Sequence, residues 1–320
     1  MIRRSETNYV TLTGKGLFIV LIFNLVLMDS SIANERAKPG RKHPSSKTLR
    51  SMARVYMAYG EYAKARPLAE KALALAKIKG ASDSELAICF IDLATLYTYQ
   101  GKLVEAEEMC HSGLQLQKKI LCKNHPYLAY TLSTLSSIYC EQGKYYQANS
   151  ALDEAITIML DSHSADDKAM APFFVDTAKL LVAEGDLEQA ESYYQKAMLL
   201  INSSYGPDHL YTANVLADIA KLYTLQERYA EAEELVSRAV AVQEKIYGSD
   251  HHLIAASWLT KAKICQVKGA RAQAEKLINK ALIAIENSGN AAAFAKLQQD
   301  AKEIRVSKQV AYGPIARATK

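Results

Sequence analysis

The sequence predicts an all-α fold, a right-handed superhelical solenoid of helix-turn-helix hairpins, and three observations carry that prediction. Tyr205–Ala213 reads YGPDHLYTA and Tyr247–Ala255 reads YGSDHHLIA, nearly the same phrase 42 residues later, with a third version, LCKNHPYLA, at Leu121–Ala129. A turn position recurs at Gly60, Gly101, Gly143, Gly185, Glu227 and Gly269, at spacings of 41, 42, 42, 42 and 42. Five residues after each turn stands Ala65, Ala106, Ala148, Ala190, Ala232 or Ala274, and seven further on a second small residue, Ala72, Gly113, Ala155, Ala197, Ala239 or Ala281. A fixed period of this length marks one supersecondary unit stacked on copies of itself.

Each unit reads as two helices. Apolar residues recur at helical spacing before the turn, as in Leu216, Ile219, Ala220 and Tyr223, and after it, as in Ala232, Leu235, Val236 and Ala239. Where two helices cross closely only Ala or Gly lets the backbones approach, which explains the two small positions. The aromatics four residues before the turn, Tyr56, Tyr97, Tyr139 and Tyr223, read as packing residues. The repeated phrase is the joint that ends one second helix and caps the next first helix. His251 and His252 within it read as a solvated linker, because adjacent residues at a helix start diverge and do not chelate a metal.

The remaining segments fall on either side of the array. Residues 1–33 read as a signal peptide: MIRR is basic, Gly16–Met28 is apolar but shorter than the ~20 residues a membrane-spanning helix needs, and Ser31–Ala33 (SIA) supplies small residues for cleavage. Export to the periplasm or the exterior is the expectation, with an uncleaved membrane anchor as the alternative. Residues 34–43 are a flexible basic lead-in and 44–287 hold six repeats. Residues 288–308 form a capping helix for the open end of the stack, with Phe294, Leu297, Ala301 and Ile304 on one stripe, and 309–320 fray.

Composition excludes several function classes. A net charge of +5 spread over both signs lacks the dense basic stripe of a nucleic-acid binder. Five scattered cysteines without a C-x-x-C pair form no disulfide framework and read as buried small residues. No phosphate-binding glycine loop, nucleophile elbow or zinc-binding H-E-x-x-H is present, so neither an enzyme nor a cofactor or metal site is expected.

The turns GKLVEA (Gly101–Ala106), GKYYQA (Gly143–Ala148) and GDLEQA (Gly185–Ala190), with the NHP, PDH and SDHH joints and the 42-residue period, resemble the tetratricopeptide repeat, in particular the form found in kinesin light chains. The resemblance spans about Pro44 to Asn287. It implies a concave surface built from the first helices on which a protein or peptide partner binds, through residues nine and six places before each turn. These are Ser51 and Arg54, Asp92 and Thr95, Thr134 and Ser137, Asp176 and Lys179, Asp218 and Lys221, and Thr260 and Lys263. Where kinesin light chains carry an Asn pair, unit five carries Ala217 and Asp218, a departure in peptide specificity.

Lys179, Lys221 and Lys263 form a ladder one period apart. Either Asp176 and Asp218 each pair with the Lys three residues on and both are simply solvated, or the ladder receives an acidic or carboxylate-terminated segment. The expected function is therefore an exported, non-enzymatic interaction scaffold. The alternative is an accessory or regulatory subunit of an envelope enzyme or of a secretion or assembly machine.

Overall fold

The computed structural model describes residues 44–162, 167–288 and 294–306. The signal segment, the lead-in and the C-terminal tail lie outside the described residues. Thirteen α-helices follow one another, with no strand among the described residues. The six hairpins pair α1 (Ser46–Ala58) with α2 (Tyr62–Ile78), α3 (Asp83–Tyr99) with α4 (Leu103–Ile120), and α5 (Pro126–Glu141) with α6 (Tyr145–Asp161). They continue with α7 (Ala171–Glu184) and α8 (Leu187–Tyr205), α9 (Leu210–Leu225) and α10 (Tyr229–Tyr247), and α11 (Ala255–Val267) and α12 (Arg271–Asn287). A last helix, α13 (Ala295–Val306), packs on α11 and α12.

Helix boundaries follow from local chemistry. Each turn needs one residue in the left-handed region, and φ is +68° at Gly60, +93° at Gly185 and +63° at Glu227, the one non-glycine at that register and the only such residue among those described. In three joints the N-cap is a histidine: Nδ1 of His125, His209 and His251 accepts the backbone N–H of Tyr127, Tyr211 and Leu253 at 3.2, 3.1 and 3.3 Å. Each imidazole is thus fixed in the tautomer whose Nδ1 is bare.

The small residues stand where the helices cross. Ala65, Ala106, Ala148, Ala190 and Ala232 have no exposed surface. At Gly113 a Cβ would come within 2.8 Å of Ile91 Cγ1, so α3 and α4 approach too closely there even for alanine. Cys89, Cys110 and Cys265 are buried as expected, Cys140 is half-buried, and Cys122, in the joint after α4, is exposed; all five are free thiols.

The sequence reading supposed an open stack, whereas the first and last units meet. One buried cluster joins Ala53, Tyr62, Ala65 and Leu93 of the first two units to Val236, Ile254, Trp258 and Ile278 of the last two, with Phe294 and Ile304 of the C-terminal segment. The winding is tight enough for the turn of unit one to meet the joint between units five and six. His252 is consequently 8% exposed rather than a solvated linker, and its imidazole lies against Gly60 and Phe294.

Candidate partner-binding surface

The acids that stand nine residues before three of the turns link neighbouring units. Asp92 accepts from Arg50 at 2.8 Å and from Arg54 at 2.7 Å, both on the first helix of the preceding unit. Asp176 accepts from Ser133 Oγ at 2.5 Å, and Asp218 from Lys179 Nζ at 3.2 Å, again one unit back. The expected pairing of each Asp with the Lys on its own helix is therefore corrected. Stacked first helices bring residue n of one unit closer to the next unit's acid than to the side chain three places away.

Burial separates these positions. Asp92 is 6% exposed with both oxygens engaged, so it is withdrawn from the surface on which it was expected. Arg54 keeps an exposed side chain, while Thr95, Thr134 and Ser137 are half-buried. The hydroxyls of Thr95 and Thr134 donate to the carbonyls of Ile91 and Tyr130, each at 3.0 Å, and so face along their own helices.

Charge along the stacked first helices is uneven. Burial pushes the Asp176 carboxyl above the usual aspartate range, against the opposing pull of Lys179 and Ser133. The Asp218 carboxylate, against the opposing effect of burial and with help from the Asp176 carboxylate, holds Lys179 firmly protonated. Lys221 and Lys263 are exposed and, among the described residues, take no ion pair. Both line a 430 Å³ cleft between α9, α11 and α13, together with Leu225, Leu259 and Leu297; α13 adds the ammonium of Lys296 and the carboxylates of Asp300 and Glu303.

Three of the six hairpins carry a motif that the sequence reading missed. The cation one residue after the turn lies over the tyrosine four residues before it: Lys102 over Tyr97 at 5.7 Å, Lys144 over Tyr139 at 5.5 Å and Arg228 over Tyr223 at 3.8 Å. A carboxylate of the preceding unit collects the same groups. Glu191 receives Tyr223 Oη, Gln226 Nε2 and Arg228 Nη1 at 3.0, 3.2 and 2.8 Å, and Glu107 receives Gln142 and Lys144, each at 2.9 Å. Burial acts to raise the Glu191 carboxyl, but these hydrogen bonds outweigh it and hold it below the usual range. The tyrosines are thus packing residues with a tethered hydroxyl. Their signal in the sequence is the basic residue after the turn glycine.

Among the described residues, no helix is long and apolar enough to cross a membrane, and no three His, Cys, Asp or Glu side chains converge as a metal site would require.

Comparison with known proteins agrees with this architecture. The tetratricopeptide repeat family model matches residues 44–110, 85–161, 176–245 and 218–286. A search of curated proteins returns no significant match. Among solved structures, BtubC (BKLC) from P. vanneervenii is similar at 20% identity with a TM-score of 0.52, over 72% of this chain and 91% of that one. The nearly identical TPR-like repeats of a putative kinesin light chain from Podosopora anserina share 22% identity over 68% of this chain and 98% of that one, with a TM-score of 0.47. A Rap protein complexed with Competence and Sporulation Factor has 12% identity and a TM-score of 0.60, over 81% of this chain and 75% of that one. With four matches, in two overlapping pairs, that together span most of the six hairpins, the chain belongs to the tetratricopeptide repeat family.

Proposed function

We propose that the chain is an exported, non-enzymatic interaction scaffold that receives an acidic protein or peptide segment on the concave wall of its first helices. The observation that carries this reading is the contrast between Lys179, committed to Asp218, and Lys221 and Lys263, which line an open cleft without an ion pair among the described residues. Three ammonium groups among leucines, with Asp300 and Glu303 confined to α13, suit a segment that presents carboxylates to α9 and α11 and aliphatic side chains between them. The structural likeness to a Rap protein in complex with Competence and Sporulation Factor supports a fold whose work is to bind. Contacts between partly wet charges give micromolar affinity and marked salt dependence.

Site-specific photo-crosslinking in native cells tests it. A benzophenone side chain at Thr260, in the cleft, captures a partner, and one at Glu234, exposed on second helix α10, does not. Replacing Lys221, Lys263 and Lys296 with Ala weakens that capture. Crosslinks from Glu234 alone would move binding to the convex face and overturn the reading.

A further inference from the structure

A run of six aromatic rings fastens the two ends of the solenoid together. Tyr247, the last residue of α10, stacks on His251 at 4.8 Å, and His251 stacks on His252 at 4.4 Å. His252 meets the edge of Phe294 at 5.4 Å. Phe294 lies 6.5 Å from Tyr62, which opens α2, and Tyr62 stacks on Tyr99 at 5.2 Å. The first and second units are thereby joined to the joint before unit six through the residue that precedes α13.

The contact is close and has little room for charge. A Cβ on Gly60 would lie 2.3 Å from His252 Nε2 and 3.1 Å from Leu253 Cδ2, so the turn of unit one sits directly on the imidazole. His252 Nε2 is buried with no well-aligned hydrogen-bond partner. His251 Nδ1 must stay bare to accept the Leu253 N–H at 3.3 Å. Two stacked imidazoles between phenol and phenyl rings cannot both become imidazolium without like-charge repulsion in a poorly hydrated space.

We propose that this run is a proton-sensitive clasp: neutral imidazoles hold the superhelix at one closed turn, and their protonation releases unit one from the joint between units five and six. The groups facing the two histidines are consistent with release. Glu61 is the nearby carboxylate and would favour the charged form, but it is already paired with Lys64. The other ionisable neighbours of the run are phenols, Tyr59, Tyr62, Tyr99 and Tyr247, and burial holds Tyr62 and Tyr247 above the usual tyrosine range. Burial, and then the charge of its neighbour, lowers His251 to about 4, and burial outweighs the Gly60 backbone and Glu61 to hold His252 below its ordinary value. Release changes the width of the concave wall without unfolding any hairpin.

The experiment compares pH 7.5 with pH 4.5 by small-angle scattering and hydrogen exchange on the full chain, with far-ultraviolet circular dichroism as the control for helix content. At pH 4.5 the radius of gyration rises and amides in 59–62 and 252–254 exchange about tenfold faster, while the helical signal holds. In H251N/H252Q the Asn keeps the cap, the Gln keeps a nitrogen near Gly60 and neither titrates, so the response disappears; should the double variant not fold, H252Q alone gives a reduced response. An unchanged radius and exchange in the wild type, or an equal response in the non-titrating variants, would overturn the clasp.

Discussion

The ammonium of Lys179 and the carboxylate of Asp218 stand 3.2 Å apart although they belong to first helices of consecutive units, and Asp176 borders the same site. Lys179 is thus an inter-repeat tie, whereas Lys221, one period on, has no ion pair among the described residues.

Lys179→Ala is therefore expected to cost about 1 kcal/mol at pH 7.5, kept small because both side chains are partly wet, whereas Lys221→Ala stays within about 0.5. The deficit shrinks in mild acid. Without Lys179 the folded-state pKa of Asp176, already raised by burial, climbs further, so the native state binds a proton above the ordinary aspartate range and gains stability as pH falls toward that range. Urea midpoints at pH 7.5 and 5 check this; equal losses for the two lysines would refute the tie.

The hairpin crossings give a second expectation. Ala190 has no exposed surface where α7 and α8 meet, so Ala190→Leu overpacks and costs about 1–3 kcal/mol. Glu188, exposed two residues earlier, tolerates Ala within about 0.5 kcal/mol. Denaturant midpoints followed by circular dichroism separate the two.

Unit five bends through Glu227 at a φ of +63°, where the other units use glycine. Glu227→Gly relieves the contact between Cβ and the carbonyl and is expected to raise stability by about 0.5–1 kcal/mol, less than the full left-handed penalty because glycine is freer in the unfolded chain. Gly185→Ala should lose about 1 kcal/mol by the same strain, since a Cβ there meets nothing within 4 Å. Thermal melts that move both variants the same way would contradict this account.

Export carries its own test. Cleavage after Ala33 leaves a mature chain beginning at Asn34, which intact-mass spectrometry of natively expressed protein detects directly. A cytoplasmic protein retaining Met1 would end the proposal of export.

Much of this architecture was legible because most of it is decided within one period. The alanine at the crossing, the glycine at the turn and the histidine at the cap each act on neighbours in the same hairpin or the next, so each leaves a mark that recurs, six, five and three times respectively. The cation over tyrosine was equally written in Lys102, Lys144 and Arg228, but a basic residue after a turn looks like any solvated side chain until the ring beneath it is seen. The acids were found at the right register and paired with the wrong partners, because spacing along one helix says nothing about the distance between two. His252 was unreadable for another reason. It follows the capping position as Pro126 and Leu210 do, and only the winding of the whole solenoid brings Gly60 to it.

The contact between Gly60 and His252 also counts. A linear array tolerates the gain or loss of a period, because every interior unit sees the same neighbours and the terminal ones simply move outward. Here the first turn and the fifth joint must arrive together, so deleting or duplicating a single 42-residue unit would leave Tyr62 and Phe294 without each other. The same constraint removes the loose end from which such arrays usually begin to melt, and couples the unfolding of the first hairpin to that of the last. A chain assembled from interchangeable parts is in this way held to one number of them.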